Sequence, residues 1–285
     1  MNDQLRLKQD GDQAVEIHHR AGLLFRYVYR PETLAKESSR PFAHPVRSLS
    51  GATLSCFRPN DHPWHHGLSF TINHVGEKNF WGGPSYRAAD GYQWRDDHGI
   101  QKHLEWLELS AAALTHRLQW RTADKDELLL EEVRSLEVEV LSENAWALFW
   151  RASLKNVTGS ALSLGNYHSR HGLTGSHYTG LQFRGARDLL DEHGDASISI
   201  AAENGLSGEV AIHGAAAGWM EWNAQKDENL QRVNIRFINN TGPIHWFVRQ
   251  KNPLTAFPFQ FDRDHLLAAG AELLIDHSLI FTDVS

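Results

Sequence analysis

The sequence predicts an all-β fold, a large antiparallel β-sandwich, and three observations carry that expectation. Apolar side chains alternate with polar ones at a two-residue period. Leu136, Val138 and Val140 flank Glu137 and Glu139; Trp146, Leu148, Trp150, Ala152 and Leu154 alternate with partners such as Arg151, Ser153 and Lys155; Leu273, Ile275, His277, Leu279 and Phe281 repeat the pattern. Turn-forming stretches at 156–159, 203–208 and 239–243 separate such segments. Helical periodicity is scarce, with one short turn expected at 186–192.

In chain order, strands are expected at 5–8, 23–29, 53–57, 68–73, 103–109, 114–121, 136–140, 146–154, 181–184, 197–201, 209–213, 219–223, 233–237, 245–249 and 273–281. Many short strands punctuated by turns fit a sandwich or barrel. No internal repeat and no low-complexity linker interrupts them, so residues 1–285 are expected to form one β-sandwich domain. The longest irregular stretch is 75–101, and a long loop in a compact domain is more often functional than idle.

Composition narrows the function. At 285 residues, with 41% hydrophobic and 22% charged residues, the chain is globular in character. A net charge of −7 and the lack of any Lys/Arg run argue against a nucleic-acid partner, whose phosphates need a basic field. The single cysteine, Cys56, leaves no internal disulfide and no thiolate cluster for a metal. No apolar run approaches the roughly 18 residues of a membrane span, and the N-terminal residues have no apolar signal core. The expectation is a cytoplasmic protein with no membrane partner. What stands out is 18 His, 10 Trp and 13 Phe.

The densest concentration of chemistry is Asp61-His62-Pro63-Trp64-His65-His66-Gly67. Pro63 and Gly67 mark it as a turn just before the strand at 68–73. Clustered imidazoles at a strand edge can shuttle protons near neutral pH or ligate a metal, and Asp61 can orient one of them. The plainer alternative is a surface turn whose histidines only bond the backbone. A second group, Asn166, His168, Arg170 and His171, follows the apolar run ending at Leu164 and is either part of a cleft or an exposed polar loop. His103 and Glu105 stand at i and i+2, which in an unbroken strand places a base and a carboxylate on one face. Trp81 within Phe80-Trp81-Gly82-Gly83, Trp94 and His245-Trp246-Phe247 offer aromatic faces suited to the C–H face of a sugar, or else ordinary core. Arg249 can grip a carboxylate or a hydroxyl pair, or simply pair with a surface acid. No Gly-x-Ser-x-Gly elbow, phosphate loop, dinucleotide fingerprint or His-Glu-x-x-His helix is present.

Several motifs resemble the soluble bacterial family called methane oxygenase PmoA. They are Arg40-Pro41 through His44-Pro45-Val46-Arg47, Ser50-Gly51, the block Asp61 to Leu68, and Asn79-Phe80-Trp81-Gly82. The likeness continues in Gly99-Ile100 with His103, Leu130-Glu131-Glu132 with Arg134, Gly180 to Arg184, Trp246 to Arg249, and Phe257-Pro258-Phe259. Trp64 stands where that family often has His, and Gly67 where many members have Arg. The resemblance implies a galactose-mutarotase-like supersandwich and an association with sugar catabolism. It does not imply methane oxidation, since a methane monooxygenase subunit is embedded in the membrane.

The leading expectation is therefore an enzyme acting on a small-molecule carbohydrate, a sugar or oxidised sugar, by histidine acid–base chemistry of the epimerase, lyase or hydrolase type. His62, His65, His66 and His103 are the expected catalytic groups. Asp61, Trp81, Glu105, Asn166, His168, His171 and Arg249 are the expected substrate contacts. No cofactor is expected, although a His-ligated divalent metal is one alternative and a non-catalytic carbohydrate-binding protein is another.

Overall fold

Period-two alternation sorts the side chains onto two faces throughout the computed structural model, which describes residues 2–284. Two large antiparallel sheets result. The first has eight strands in the order Leu5–Asp10, Ala14–His19, Gly22–Val28, Phe42–Val46, Leu68–Thr71, Gly180–Arg184, Leu254–Phe257 and Phe247–Arg249. The second has nine, ordered Leu189–Leu190, Trp219–Lys226, Arg232–Asn239, Glu272–Val284, Ala145–Asn156, Leu128–Val140, Ala113–Thr122 and Gly99–Leu109, with Ser199–Ala202 also pairing to Trp219–Lys226.

The sheets pack face to face around one apolar cluster that draws on residues from Leu5 to Phe281. Aromatic pairs bridge the layers: Phe25 stacks on Trp146 with centroids 6.0 Å apart, Phe70 meets Trp120 edge-on at 5.8 Å, and Phe183 meets Phe237 at 5.7 Å. The same inward parity carries Glu132 and Arg134 into the sandwich. Arg134 bonds both oxygens of Glu132, at 2.7 and 2.9 Å, and also reaches Gln101 at 2.9 Å, so the buried charges are paired.

Local departures from the expected elements have physical causes. Residues 209–213 form a helical turn, Glu209–Ile212, rather than a strand. Gln250 Oε1 accepts from the Glu209 N–H at 2.7 Å, while the Glu209 carboxylate accepts from the Gln250 N–H at 2.8 Å, which satisfies the first turn. Residues 53–57 make only isolated bridges, Arg47 to Thr53, Ser55 to Gly185 and Phe57 to His66. The turn expected at 186–192 instead contains a short strand, Leu189–Leu190. The long stretch 75–101 holds a hairpin, Ser85–Arg87 with Gly91–Gln93.

Four strands of the first sheet prepare the site. Leu68, Phe70, Leu181, Phe183, Val248 and Phe257 face the core. Alternation therefore turns Ser69, Thr71, Gln182, Arg184, Leu254, Ala256, Phe247 and Arg249 to the outer face. There Leu254, Ala256 and Phe247 join Trp81 in a separate apolar cluster, with Trp64 and Tyr178 packed against it.

Candidate functional site

A cleft of about 500 Å³ opens over this outer face. Its size is that of a small-ligand site. Asp61, His62, Trp64 and His65 form one wall; Trp81, Pro84, Tyr92 and Tyr178 form another; Arg184, Phe247, Arg249, Lys251 and Leu254 complete it. A more open depression of about 910 Å³ beside Trp94 is larger. Its titratable groups already have partners, as with Arg95 on Asp90 and Asp124 on Lys78, so the cleft is the chemically richer of the two.

The histidine wall is held rigidly. Buried Arg40 donates to the Trp64 carbonyl at 2.8 Å and to the Trp81 carbonyl at 3.1 Å, tying the two loops together. Gly83 packs under Trp64 with φ +72°, and a Cβ there would lie 2.4 Å from the indole. Gly67, at φ +51°, ends the turn where a Cβ would meet the Ala43 carbonyl at 2.3 Å. Both positions require glycine.

His62 and His65 stack with ring centroids 4.9 Å apart and planes inclined by 27°. His65 is buried and packs edge-on to Trp81 at 6.0 Å. Burial, with the nearby Arg184 and His62, pulls its pKa well below the ordinary value, so it is a neutral imidazole. His62 is half-exposed, and its Nδ1 lies 3.1 Å from Asp61 Oδ2, close enough for attraction although not aligned as a hydrogen bond. Burial raises the Asp61 carboxyl, but His62 and Arg187 outweigh it and hold the group below the usual range as a carboxylate. That carboxylate favours the His62 tautomer protonated at Nδ1, leaving Nε2 as the base.

Opposite stand three cations. The Arg184 side chain is nearly buried, and its Nε and one terminal nitrogen lack partners. Arg249 lies over the Phe247 ring at 4.5 Å and donates to His213 Nδ1 at 2.9 Å. His213 Nε2 in turn donates to the Gly175 carbonyl at 3.0 Å, so Arg249 is steered by a neutral imidazole. Burial lowers the pKa of both arginines, yet guanidinium stays protonated in proteins. Lys251 is exposed at the rim.

Of the residues singled out from sequence, Asp61, His62, His65, Trp81 and Arg249 line the cleft. Trp81 is only 2% exposed, wedged between His65 and Tyr178, so it forms floor rather than an open stacking platform. Trp64, Tyr92 and Tyr178 supply the open aromatic surface. His66 turns away from the cleft: fully buried, it donates Nε2–H to Glu37 at 3.1 Å, and burial lowers its pKa to about 4. His103 lines a different depression beside Tyr29 and Arg30 and bonds His116, Nδ1 to Nδ1, at 2.9 Å.

His103 and Glu105 do not share a face. A register shift opposite Arg117 and Leu118 breaks the alternation, sending His103 to His116 and Glu105 to Arg117, at 3.1 Å on the exposed side. Asn166 is a helix cap: its side chain accepts from the Ser169 N–H, starting the five-residue helix Tyr167–His171. His171 packs on His74 and Tyr167. His168 approaches the cleft only indirectly, through His177 and His213 to Arg249.

Sequence reading passed over Arg184, Tyr178, Tyr92 and Lys251. Arg184 carried a usable signal, since Leu181 and Phe183 facing inward place Gln182 and Arg184 outward. Among the described residues, no group of three or more His, Cys, Asp or Glu side chains is arranged to hold a metal ion. No described helix is long and apolar enough to cross a membrane.

No curated protein matches the chain. Among solved structures, it is similar to the GalM/aldose epimerase homologue from C. elegans at 9% identity and a TM-score of 0.30, over 98% of each chain. The profile of the family of unknown function DUF6807 matches residues 14–284, and the chain belongs to that family.

Proposed function

We propose that the cleft is the active site of an enzyme that processes a small carbohydrate by histidine acid–base chemistry, with His62 as the proton-transferring group. The observation that carries this reading is the placement of half-exposed His62 between the Asp61 carboxylate and neutral His65, beside the aromatic surface of Trp64 and Tyr178. The Asp61 carboxylate stabilises the imidazolium that forms when Nε2 accepts a proton. His65 supplies a neutral hydrogen-bonding group in a water-poor corner. Rings and aliphatic C–H faces meet Trp64, Tyr92 and Tyr178, while hydroxyls meet the histidines. The resemblance to the soluble PmoA-type family supports the same reading through its association with sugar catabolism.

Two steps fit such a base. His62 Nε2 takes the proton of an anomeric hydroxyl, or takes the proton from a carbon beside a carbonyl, the C–H electron pair moving to form the enolate. Incubating pools of sugars and keto-sugars with the protein in D2O tests both. Accelerated anomer exchange or loss of one C–H signal is expected, and His62→Ala should slow it by about 100-fold or more. A sugar that binds in the cleft and is returned with no exchange would leave a binding protein instead.

A further inference from the structure

The cations of the cleft have no partner in the acid–base reading. The chain as a whole carries a net charge of −7, yet Arg184, Arg249 and Lys251 converge on this one cavity. The only carboxylate in its lining, Asp61, already pairs with Arg187 and lies against His62. Among the described residues no carboxylate comes within 4.0 Å of the Arg184 or Lys251 nitrogens, whereas Arg249 has Glu209 at 3.5 Å. Arg184 is the decisive residue. It is 3% exposed, it lines the cleft, and its Nε and one terminal nitrogen have no hydrogen-bond acceptor. A desolvated guanidinium with unused donors is costly to keep unless something fills them. The planar fork of Nε and a terminal nitrogen matches two oxygens of one acid group.

We propose that the ligand of this cleft carries an anionic group, a carboxylate or a phosphate, which Arg184 binds through its free donors while Arg249 and Lys251 supply further positive field. This rests on the carbohydrate reading for the rest of the molecule and narrows it to an acidic sugar: a uronate, an aldonate or a sugar phosphate. Arg249 is suited to the supporting role, because His213 and Phe247 hold its guanidinium in place. A local positive field within an acidic protein also draws anionic ligands toward this opening in preference to the rest of the surface.

The test is calorimetric titration of the full chain with D-glucuronate, D-galacturonate, D-gluconate and glucose 6-phosphate, each against D-glucose and D-galactose. At least one acidic sugar should bind about tenfold or more tightly than its neutral counterpart, and Arg184→Gln should erase that preference. The uronate and phosphate arms separate the two sources of charge. Should Arg184→Gln fold poorly by circular dichroism, Lys251→Ala provides a second readout, with an expected two- to threefold loss for the acidic sugar alone. The proposal is overturned if no acidic sugar outcompetes its neutral partner. If acetate or inorganic phosphate binds as tightly as the whole acidic sugar, the anion site stands and the carbohydrate reading falls. If neutral sugars bind tightly and indifferently to Arg184, the carbohydrate reading stands and the anion site falls.

Discussion

Two pairs of histidines touch in this chain, and the contrast between them shows what separates a chemical site from a structural one. His62 and His65 stack with centroids 4.9 Å apart; His103 and His116 stack at 5.2 Å. The geometry is nearly the same, but the surroundings are not. The first pair opens on a cleft and has a carboxylate at its outer ring. The second runs inward: His116 Nε2 meets the Tyr27 hydroxyl at 2.9 Å, and Tyr27 leads to the buried Arg134–Glu132 pair. One pair is connected to a ligand-sized space, the other to the stability of the sandwich.

The broadest test of the contrast is acid. Burial holds His65 and His116 well below 6.5 and lowers His103 to about 4. His44, His66 and His177 also fall to about 4, and His74 and His277 to about 3. Because these folded-state values lie below the unfolded value, the unfolded chain binds more protons in that window. Their contribution is complete above pH 6.5 and is lost as pH falls toward about 4. Denaturation followed from pH 7.5 to 4 should show the steepest loss of stability in this interval. A flat profile would mean that the histidines are not sealed from water.

Glu132→Ala strikes the structural side alone. It strands the Arg134 charge inside the sandwich and should lower unfolding stability by about 3–5 kcal/mol. A variant that unfolds at the same urea concentration as the parent would show that the buried network contributes nothing to stability. His62→Ala strikes the other side. An expected loss of about 100-fold in turnover corresponds to about 2.7 kcal/mol of barrier, with the thermal midpoint unchanged. His103→Ala is the smallest effect. It should cost about 1 kcal/mol of stability through the lost bond to His116 and leave turnover within about twofold. Equal catalytic losses in His62→Ala and His103→Ala would erase the distinction between the pairs.

Alternation makes most of the architecture readable from the chain alone. The strand through Leu273, Ile275, Leu279 and Phe281 and the one through Trp146, Leu148 and Trp150 carry their apolar face openly. What alternation cannot express is a register shift. The one beside His103 rotates that residue away from Glu105, and nothing in Lys102-His103-Leu104-Glu105 announces it. The density of histidine around residue 62 locates one wall of the cleft, because those neighbours are local in sequence. The opposite wall is assembled from Arg184, Phe247 and Tyr178, brought together only by sheet order, so no short motif marks it. Tyr167–His171 leaves no periodic signal, because a single turn owes its existence to the Asn166 cap.

The hairpin Ser85–Arg87 with Gly91–Gln93 invites a different use. It places Tyr92 at the mouth of the cleft and meets the opposite wall through the Tyr92–Tyr178 hydroxyl contact of 3.0 Å, while its tip residues 88–90 are exposed. Lengthening or trimming that tip would redraw the entrance without disturbing the pairing of either large sheet. For protein engineering, it is a natural graft point, where the range of admitted molecules can be diversified in a library while the chemistry beneath stays constant.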